Sequence, residues 1–306
     1  MLAVSGVTRT FGSIRALDDV TFDVPRGQLT GFVGANGAGK TTAMRIIMRV
    51  LAQDSGTVIL DGGPVTVAAA RRFGYMPEER GLYPKMSTAE QVAYLGTLHG
   101  LDRRTAEGRA IELLGLLNLG ERAYDPVEKL SLGNQQRAQI AAALVHDPDV
   151  LILDEPFSGL DPMAVESVMV LLNGFAARGA AVLFSSHQLD VVERITDTLV
   201  IIANGQILAA GSRADLIAAH TRPRFALEAG GDLTWIAGEL EVRDVAVGAR
   251  DVTFEADDAA AQRILRLALD RGPVTRFGPV VPRLAEVFRD VVGGDGPPVR
   301  VRGAAA

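Results

Sequence analysis

The sequence predicts an α/β fold: a mostly parallel sheet with helices on both faces and an added antiparallel β portion, followed by a small α+β domain. Three observations carry that reading. Short, evenly apolar strands, VLIL within Asp149 to Leu153 and AVLF within Ala180 to Phe184, flank a helical stretch from Pro162 to Arg178, which is the pattern of a parallel sheet buried on both faces. Alternating segments such as LDDVTFDV, and turn-punctuated strands before and after that core, mark the antiparallel portion. After His220-Thr-Arg-Pro the order breaks, and strand and helix patterns restart at Phe225.

The chain has 306 residues and 48% hydrophobic content, enough for one large domain with an appendage, or for two domains. With no cysteine it has no structural disulfides, thiolate zinc sites or cysteine nucleophiles, and a reducing compartment fits. The start MLAVSGVTRTFGSIRAL lacks the charged head and long apolar run of a secretory leader. No apolar run approaches the roughly 18 residues needed to span a bilayer. A formal net charge of −6 argues against a nucleic-acid partner, because phosphate backbones favour basic faces.

Taken in order, Met1 to Arg26 reads as two or three strands with turns at Phe11-Gly12 and Pro25-Arg26-Gly27. It leads into LTGFVGANGAGKTTAM, Leu29 to Met44, where an apolar strand empties into a glycine loop ending on a helix. Gly34, Gly39, Lys40 and Thr41 fill the pattern GxxxxGK[ST], with Gly37 inside it. A triphosphate needs several donors converging with no side chains in the way. Glycines let the loop curl, so that Asn36, Gly37, Ala38 and Gly39 present backbone N–H groups. The helix near Lys40 adds the positive end of its dipole, Lys40 reaches the β- and γ-phosphates, the Thr41 hydroxyl ligates Mg²⁺, and Thr42 reaches a more internal phosphate. Phe11, beside a turn upstream, either packs locally or stacks on a base, an interaction of about 1–3 kcal/mol.

Gly56 to Val67 reads as a hairpin, and Arg72 to Met76 as a strand ending at Pro77, followed by Glu78 and Glu79. Ser87 to Val145 turns helical: Ser87-x-x-Glu90 is a capping box ahead of Val92, Leu95 and Leu98, and Arg104 to Leu119 shows an apolar face of Ile111, Leu114 and Leu117. Gln188 to Ile195 is a helix, Thr198 to Ile207 a strand-turn-strand around Asn204-Gly205, and Arg213 to Ala219 a short helix. The last part has strand-like pieces FALEA and VAVGARDVTFEA, a helix from Ala259 to Arg271, a strand from Val274 to Val281 and a helix from Leu284 to Val292. The end, GGDGPPVRVRGAAA, has the composition of a disordered tail.

Chemistry gathers where strands end and helices begin, as in open α/β sheets generally. In LILDE, Asp154 is placed to serve Mg²⁺ and Glu155 to take a proton from water attacking a γ-phosphate. Adjacent carboxylates repel unless a cation lies between them, although a solvated acidic turn has the same composition. His187 follows a strand of the same kind and points at the same phosphate. LSLGNQQR, Leu130 to Arg137, opens a helix with Ser131 at its cap, which makes either a second anion site or an ordinary cap.

In this order the motifs resemble the nucleotide-binding subunit of an ATP-binding-cassette (ABC) transporter. GANGAGKTT resembles the family's phosphate loop, LSLGNQQR its signature, LILDEP its acidic strand, SGLD from Ser158 to Asp161 its dimer-contacting loop, and SSH its switch histidine. The likeness is strongest to single-cassette subunits of bacterial drug or sodium exporters. It implies a P-loop NTPase cassette over residues 1–220 with a helical subdomain at about 78–146, a C-terminal α+β accessory domain over 223–293, and a tail over 294–306.

The resemblance further implies a head-to-tail homodimer with ATP and Mg²⁺ at the interface. Ser131 and Gly133 of one copy would cage the γ-phosphate held by the other, Glu155 would activate water, His187 would sense the phosphate, Asp161 would couple the two sites, and Phe11 would stack on adenine. The partner would be a separate membrane permease used for export, which places the chain in the cytoplasm at the inner face of the membrane. Glu78 stands where the family has a glutamine that touches Mg²⁺, Leu132 and Asn134 replace a glycine and a glutamine of the signature, and Ala35 replaces a common proline. Two alternative readings are a soluble ABC ATPase acting on nucleic acid or ribosomes, and a slowly hydrolysing regulatory nucleotide-binding module. The single cassette and negative charge disfavour the first, and Glu155 disfavours the second.

Overall fold

Alternation of apolar and polar residues at the amino terminus yields two long antiparallel strands, β1 (Leu2–Phe11) and β2 (Ile14–Val24), whose inward residues Leu2, Val4, Val20 and Phe22 are buried. In this computed structural model, which describes residues 1–79, 81–220, 223–280, 284–293 and 299–300, the chain divides into two compact units, Met1–Leu216 and Ile217–Gly296. In the first unit β4 (Ser55–Leu60) and β5 (Gly63–Pro64) extend the amino-terminal pair into an antiparallel sheet of order β2-β1-β4-β5. The hairpin expected from Gly56 onward is this β4–β5 pair.

The central sheet has the order β10-β9-β3-β8-β7-β6, from β3 (Leu29–Val33), β6 (Gly74–Met76), β7 (Val150–Leu153), β8 (Ala181–Ser186), β9 (Thr198–Ala203) and β10 (Gln206–Ser212). All neighbours are parallel except β9 and β10. Every residue of β3, β7 and β8 is buried, which explains their largely apolar character; Thr30 in β3 and Ser185 and Ser186 in β8 are the polar exceptions. Helix α1 (Lys40–Ile47) sets Ala43, Met44, Ile46 and Ile47 into a core shared with β1, β2 and the central sheet. The short α2 (Val67–Ala70) is capped by Thr66. Helices α6 (Pro162–Ala177), α7 (Leu189–Ile195) and α8 (Arg213–His220) follow β7, β8 and β10.

Between β6 and β7 lie α3 (Thr88–Leu98), α4 (Arg103–Leu116) and α5 (Leu132–Leu144). Two expected core positions face water instead: Leu98 is 63% exposed and Ile111 41%. Small residues, Ala89, Ala93 and Gly96 on α3 and Ala106 and Ala110 on α4, are among the buried positions of the two helices. A Cβ on Gly96 would lie 3.2 Å from the Cβ of Ala106, so the two helices approach too closely for a leucine between them. The Ser87 hydroxyl accepts from Glu90 N–H and donates to the Glu90 carboxylate, a variant of the expected capping box.

The second unit is an antiparallel sheet, order β12-β13-β11-β14, of β11 (Arg224–Ala229), β12 (Arg243–Val247), β13 (Asp251–Glu255) and β14 (Val274–Pro279), with α9 (Asp258–Arg271) and α10 (Leu284–Gly293). Phe225, Leu227, Val252 and Phe254 pack with Ile264 and Ala268 in its core. Val281, the expected end of the fourth strand, lies outside the described residues. So does the expected tail 294–306, except Val299–Arg300, which form β15 alongside β10 in parallel. Among the described residues no helix is long and apolar enough to cross a membrane.

His99, at the end of α3, stacks on His146, just past α5, with ring centroids 3.6 Å apart and planes 6° apart. Burial first, and then the neighbouring His99, push His146 down to about 4, against the smaller effect of the nearby backbone of Phe73 and Arg72. The unfolded chain, with an ordinary histidine near 6.5, binds this proton more readily, so His146 makes stability fall as pH drops from about 6.5 toward 4. Urea midpoints measured across that window should fall less steeply for His146→Phe, which keeps an aromatic ring and removes the proton site.

Candidate active site

Where β3 gives way to α1, residues 34–39 form a curl that only glycine permits at its ends. Gly39 caps α1 at φ 110°, and a Cβ there would lie 2.7 Å from the Ala16 carbonyl, while one on Gly34 would lie 2.4 Å from that of Ile202. Asn36 and Gly37 are exposed at the apex; Ala38 is buried and donates its N–H to Ala35 O at 3.1 Å. Lys40 is also buried, with Nζ donating to Gly34 O at 2.7 Å and Ala35 O at 3.2 Å, so its ammonium sits inside the curl. Thr41 and Thr42, half-buried, open the helix behind it.

The Thr41 hydroxyl donates to Asp154 Oδ2 at 2.7 Å. Asp154 stands one residue past the end of β7 and is 1% exposed; Ser185 Oγ, from β8, donates to its other oxygen at 2.5 Å. Two hydroxyls from two different elements therefore satisfy a buried carboxylate. Glu155 follows with φ 52°, a left-handed conformation that costs a non-glycine residue about 1–2 kcal/mol. Its neighbours hold it there: its N–H donates to Ser185 Oγ at 2.8 Å, and its carbonyl accepts from Gln136 Nε2 at 2.8 Å. The Glu155 carboxylate meets His187 Nδ1 at 2.9 Å, and the His187 side chain is half exposed.

Met76 pairs with Leu153, and its carbonyl accepts from Asp154 N–H at 2.8 Å, so Glu78 leaves the sheet edge beside the two carboxylates with an exposed side chain. Ser131 caps α5, its hydroxyl accepting from Asn134 N–H. Gly133 abuts the SGLD turn, since a Cβ there would lie 3.0 Å from Gly159 O. Asn134 is bonded to Arg137, whose guanidinium also donates to Leu117 O. Asp161 caps α6 through Ala164 N–H at 2.8 Å. Phe11 is 45% exposed at the end of β1, with the Arg9 guanidinium 4.8 Å over one face and Arg9 itself paired to Asp54 at 2.7 Å.

The structure thus joins Thr41, Asp154, Glu155 and His187 in one hydrogen-bonded group and sets Ser131, Gly133 and Asp161 in a second region. Two bonds to the Glu155 carbonyl link the regions, one from Gln136 of α5 and one from the N–H of Ser158 in the SGLD turn. Sequence reasoning missed the roles of Ser185 and Gln136. The visible signals were a hydroxyl ending a buried strand and a glutamine on the inward side of an alanine-rich helix. Thr41 and Asp154 are hard oxygen donors at the foot of an N–H-rich loop and fit Mg²⁺, which takes one or two protein oxygens and completes its shell with water and phosphate. Among the described residues no group of three or more histidine, aspartate or glutamate side chains is arranged to hold a metal ion by itself.

Comparison with known proteins agrees with this geometry. Residues 17–158 match the family model described as ABC transporter, and residues 211–292 match the one described as the C-terminal domain of ATP-binding protein DrrA1-3-like. An uncharacterized ABC transporter ATP-binding protein of Bacillus subtilis (strain 168), YhaQ, is 35% identical over 296 residues, 96% of this chain and 99% of its own length. Nod factor export ATP-binding protein I of Ralstonia nicotianae is 36% identical over 220 residues, 71% of this chain and 68% of its own. A solved structure described as the ATP-binding subunit of an ABC transporter superposes with a TM-score of 0.66 at 32% identity, covering 71% of this chain and 92% of the other. With its phosphate loop, buried acidic strand and signature-capped helix, the chain belongs to the ABC transporter family as an ATP-binding subunit with a DrrA1-3-like C-terminal domain.

Proposed function

We propose that the chain hydrolyses ATP with Mg²⁺ and thereby energises export by a separate membrane permease. The observation that supports this most directly is the continuous group Thr41–Asp154–Ser185–Glu155–His187, which sets a metal-ligand pair and a base-histidine pair side by side. The N–H groups of Asn36, Gly37, Ala38 and Gly39 and the start of α1 receive the phosphates, with Thr42 behind them. Lys40 exchanges its loop carbonyls for β- and γ-phosphate oxygens. Thr41 and Asp154 hold Mg²⁺, with Glu78 beside them; when bound, the ion neutralises charge on the phosphates.

Glu155 accepts the proton of the attacking water. His187 meets one Glu155 oxygen through Nδ1, which leaves Nε2 on the other side of the ring to face the γ-phosphate. The stacking face for adenine is Phe11. Ser131 and Gly133 act on the nucleotide of a second copy, and Asp161, in the turn beside Gly133, relates the two sites. The negative net charge speaks against nucleic acid, and the similarity to the Nod factor export ATP-binding protein supports export. The working place is then the cytoplasmic face of the membrane, through the permease. The accessory domain serves dimerisation or regulation of the cassette.

Glu155→Gln removes the base and keeps the shape: phosphate release should fall about 10²–10⁴-fold while calorimetric ATP binding persists. Wild-type protein that releases no phosphate with Mg²⁺, even with its permease, would overturn the proposal. For Lys40→Ala, losing charge-assisted bonds of about 1.5–3 kcal/mol should weaken ATP binding by about tenfold to a hundredfold, and unchanged affinity would refute its role. Truncation after Arg222 should alter self-association, turnover or transport; a truncated chain matching wild type in all three would remove the accessory domain's assignment.

A further inference from the structure

Helix α5 carries more than Ser131 at its cap. Gln136 and Gln139 lie three residues apart, hence on one side of the helix, and are 4% and 5% exposed. Burying a primary amide is unfavourable unless it is hydrogen-bonded, so the positions of its partners are informative. Gln136 Nε2 donates to the carbonyl of Glu155 at 2.8 Å. Gln139 Nε2 donates to two carbonyls at once, Pro77 O at 2.8 Å and Glu79 O at 3.0 Å. These are the residues on either side of Glu78, so one side chain grips the main chain both before and after that carboxylate.

β6 and β7 are parallel neighbours, and Met76 O accepts from Asp154 N–H, so the segments bearing Glu78 and Glu155 leave adjacent strands at the same level. Both segments are anchored by their backbone to the same face of the same helix. We propose that Gln139 is the positioning residue for Glu78, and that with Gln136 it makes α5 a common mount for both carboxylates. A displacement of α5 at its Ser131 end then moves Glu78 and Glu155 together. This rests on the nucleotide site proposed above, and it assigns to the chain a link between the signature cap and its own acidic residues.

The test uses the full chain with its permease and four proteins: wild type, Gln139→Met, Glu78→Ala and the double variant. Methionine keeps the length of the side chain and removes both donors. Gln139→Met should lower kcat for ATP about tenfold and leave KM within about twofold, because a misplaced group costs chemistry more than binding. The double variant should turn over no more slowly than Glu78→Ala alone, since the amide acts through Glu78. Multiplicative losses, a KM effect without a kcat effect, or a Glu78→Ala enzyme with wild-type kcat would each overturn the assignment.

Hydrogen exchange on the nucleotide-free proteins reads the grip independently of hydrolysis. Peptides covering 77–86 should exchange faster in Gln139→Met, and those from α1 and α6 should be unchanged. Equal exchange at 77–86 would overturn the grip. Wild-type chain without ATP turnover would sink the proposed function and leave this comparison to decide the grip by itself.

Discussion

The buried carboxylate of Asp154, held by the hydroxyls of Thr41 and Ser185, is the joint on which the site depends. It brings together three pieces of chain distant in sequence: the start of α1, the end of β7 and the end of β8. A charge this deeply buried is tolerable only where donors are fixed around it, and the sheet does the fixing. β3, β7 and β8 are buried throughout and mostly apolar because they are covered on both faces, and their parallel register delivers the ends of all three to one edge. The polar group is thus a product of apolar packing.

The left-handed backbone at Glu155 belongs to the same economy of structure. A non-glycine residue keeps such a conformation only when its surroundings over-determine it. Here Ser185 holds the N–H, Gln136 the carbonyl and His187 the side chain. The strain turns the carboxylate out of the strand direction while the next residues form the turn, Ser158 N–H bonding back to Glu155 O. Ser185 is thereby shared: it donates to one acidic residue and accepts from the next.

Much of this was legible in the order of residues. The glycine curl, the apolar strands and the acidic pair are local patterns whose physics acts over a few neighbours, and each lies where its pattern placed it. Leu98 and Ile111 face water although large apolar side chains ordinarily mark a buried stripe, because α3 and α4 meet closely where Gly96 faces Ala106. Ser185 and Gln136 went unassigned for another reason. Their meaning comes from strand and helix neighbours about thirty and twenty positions away, and no local periodicity encodes such a pairing.

Lys40 shows what self-bonding within the loop entails. Its ammonium is already hydrogen-bonded to two peptide oxygens, so an incoming anion meets a competitor inside the protein. The free energy of capture is then a difference between two sets of contacts, well below the gross attraction of cation for phosphate. Under the proposed function, a tethered surrogate of this kind would keep the curl in shape between turnovers and ease departure of the spent nucleotide.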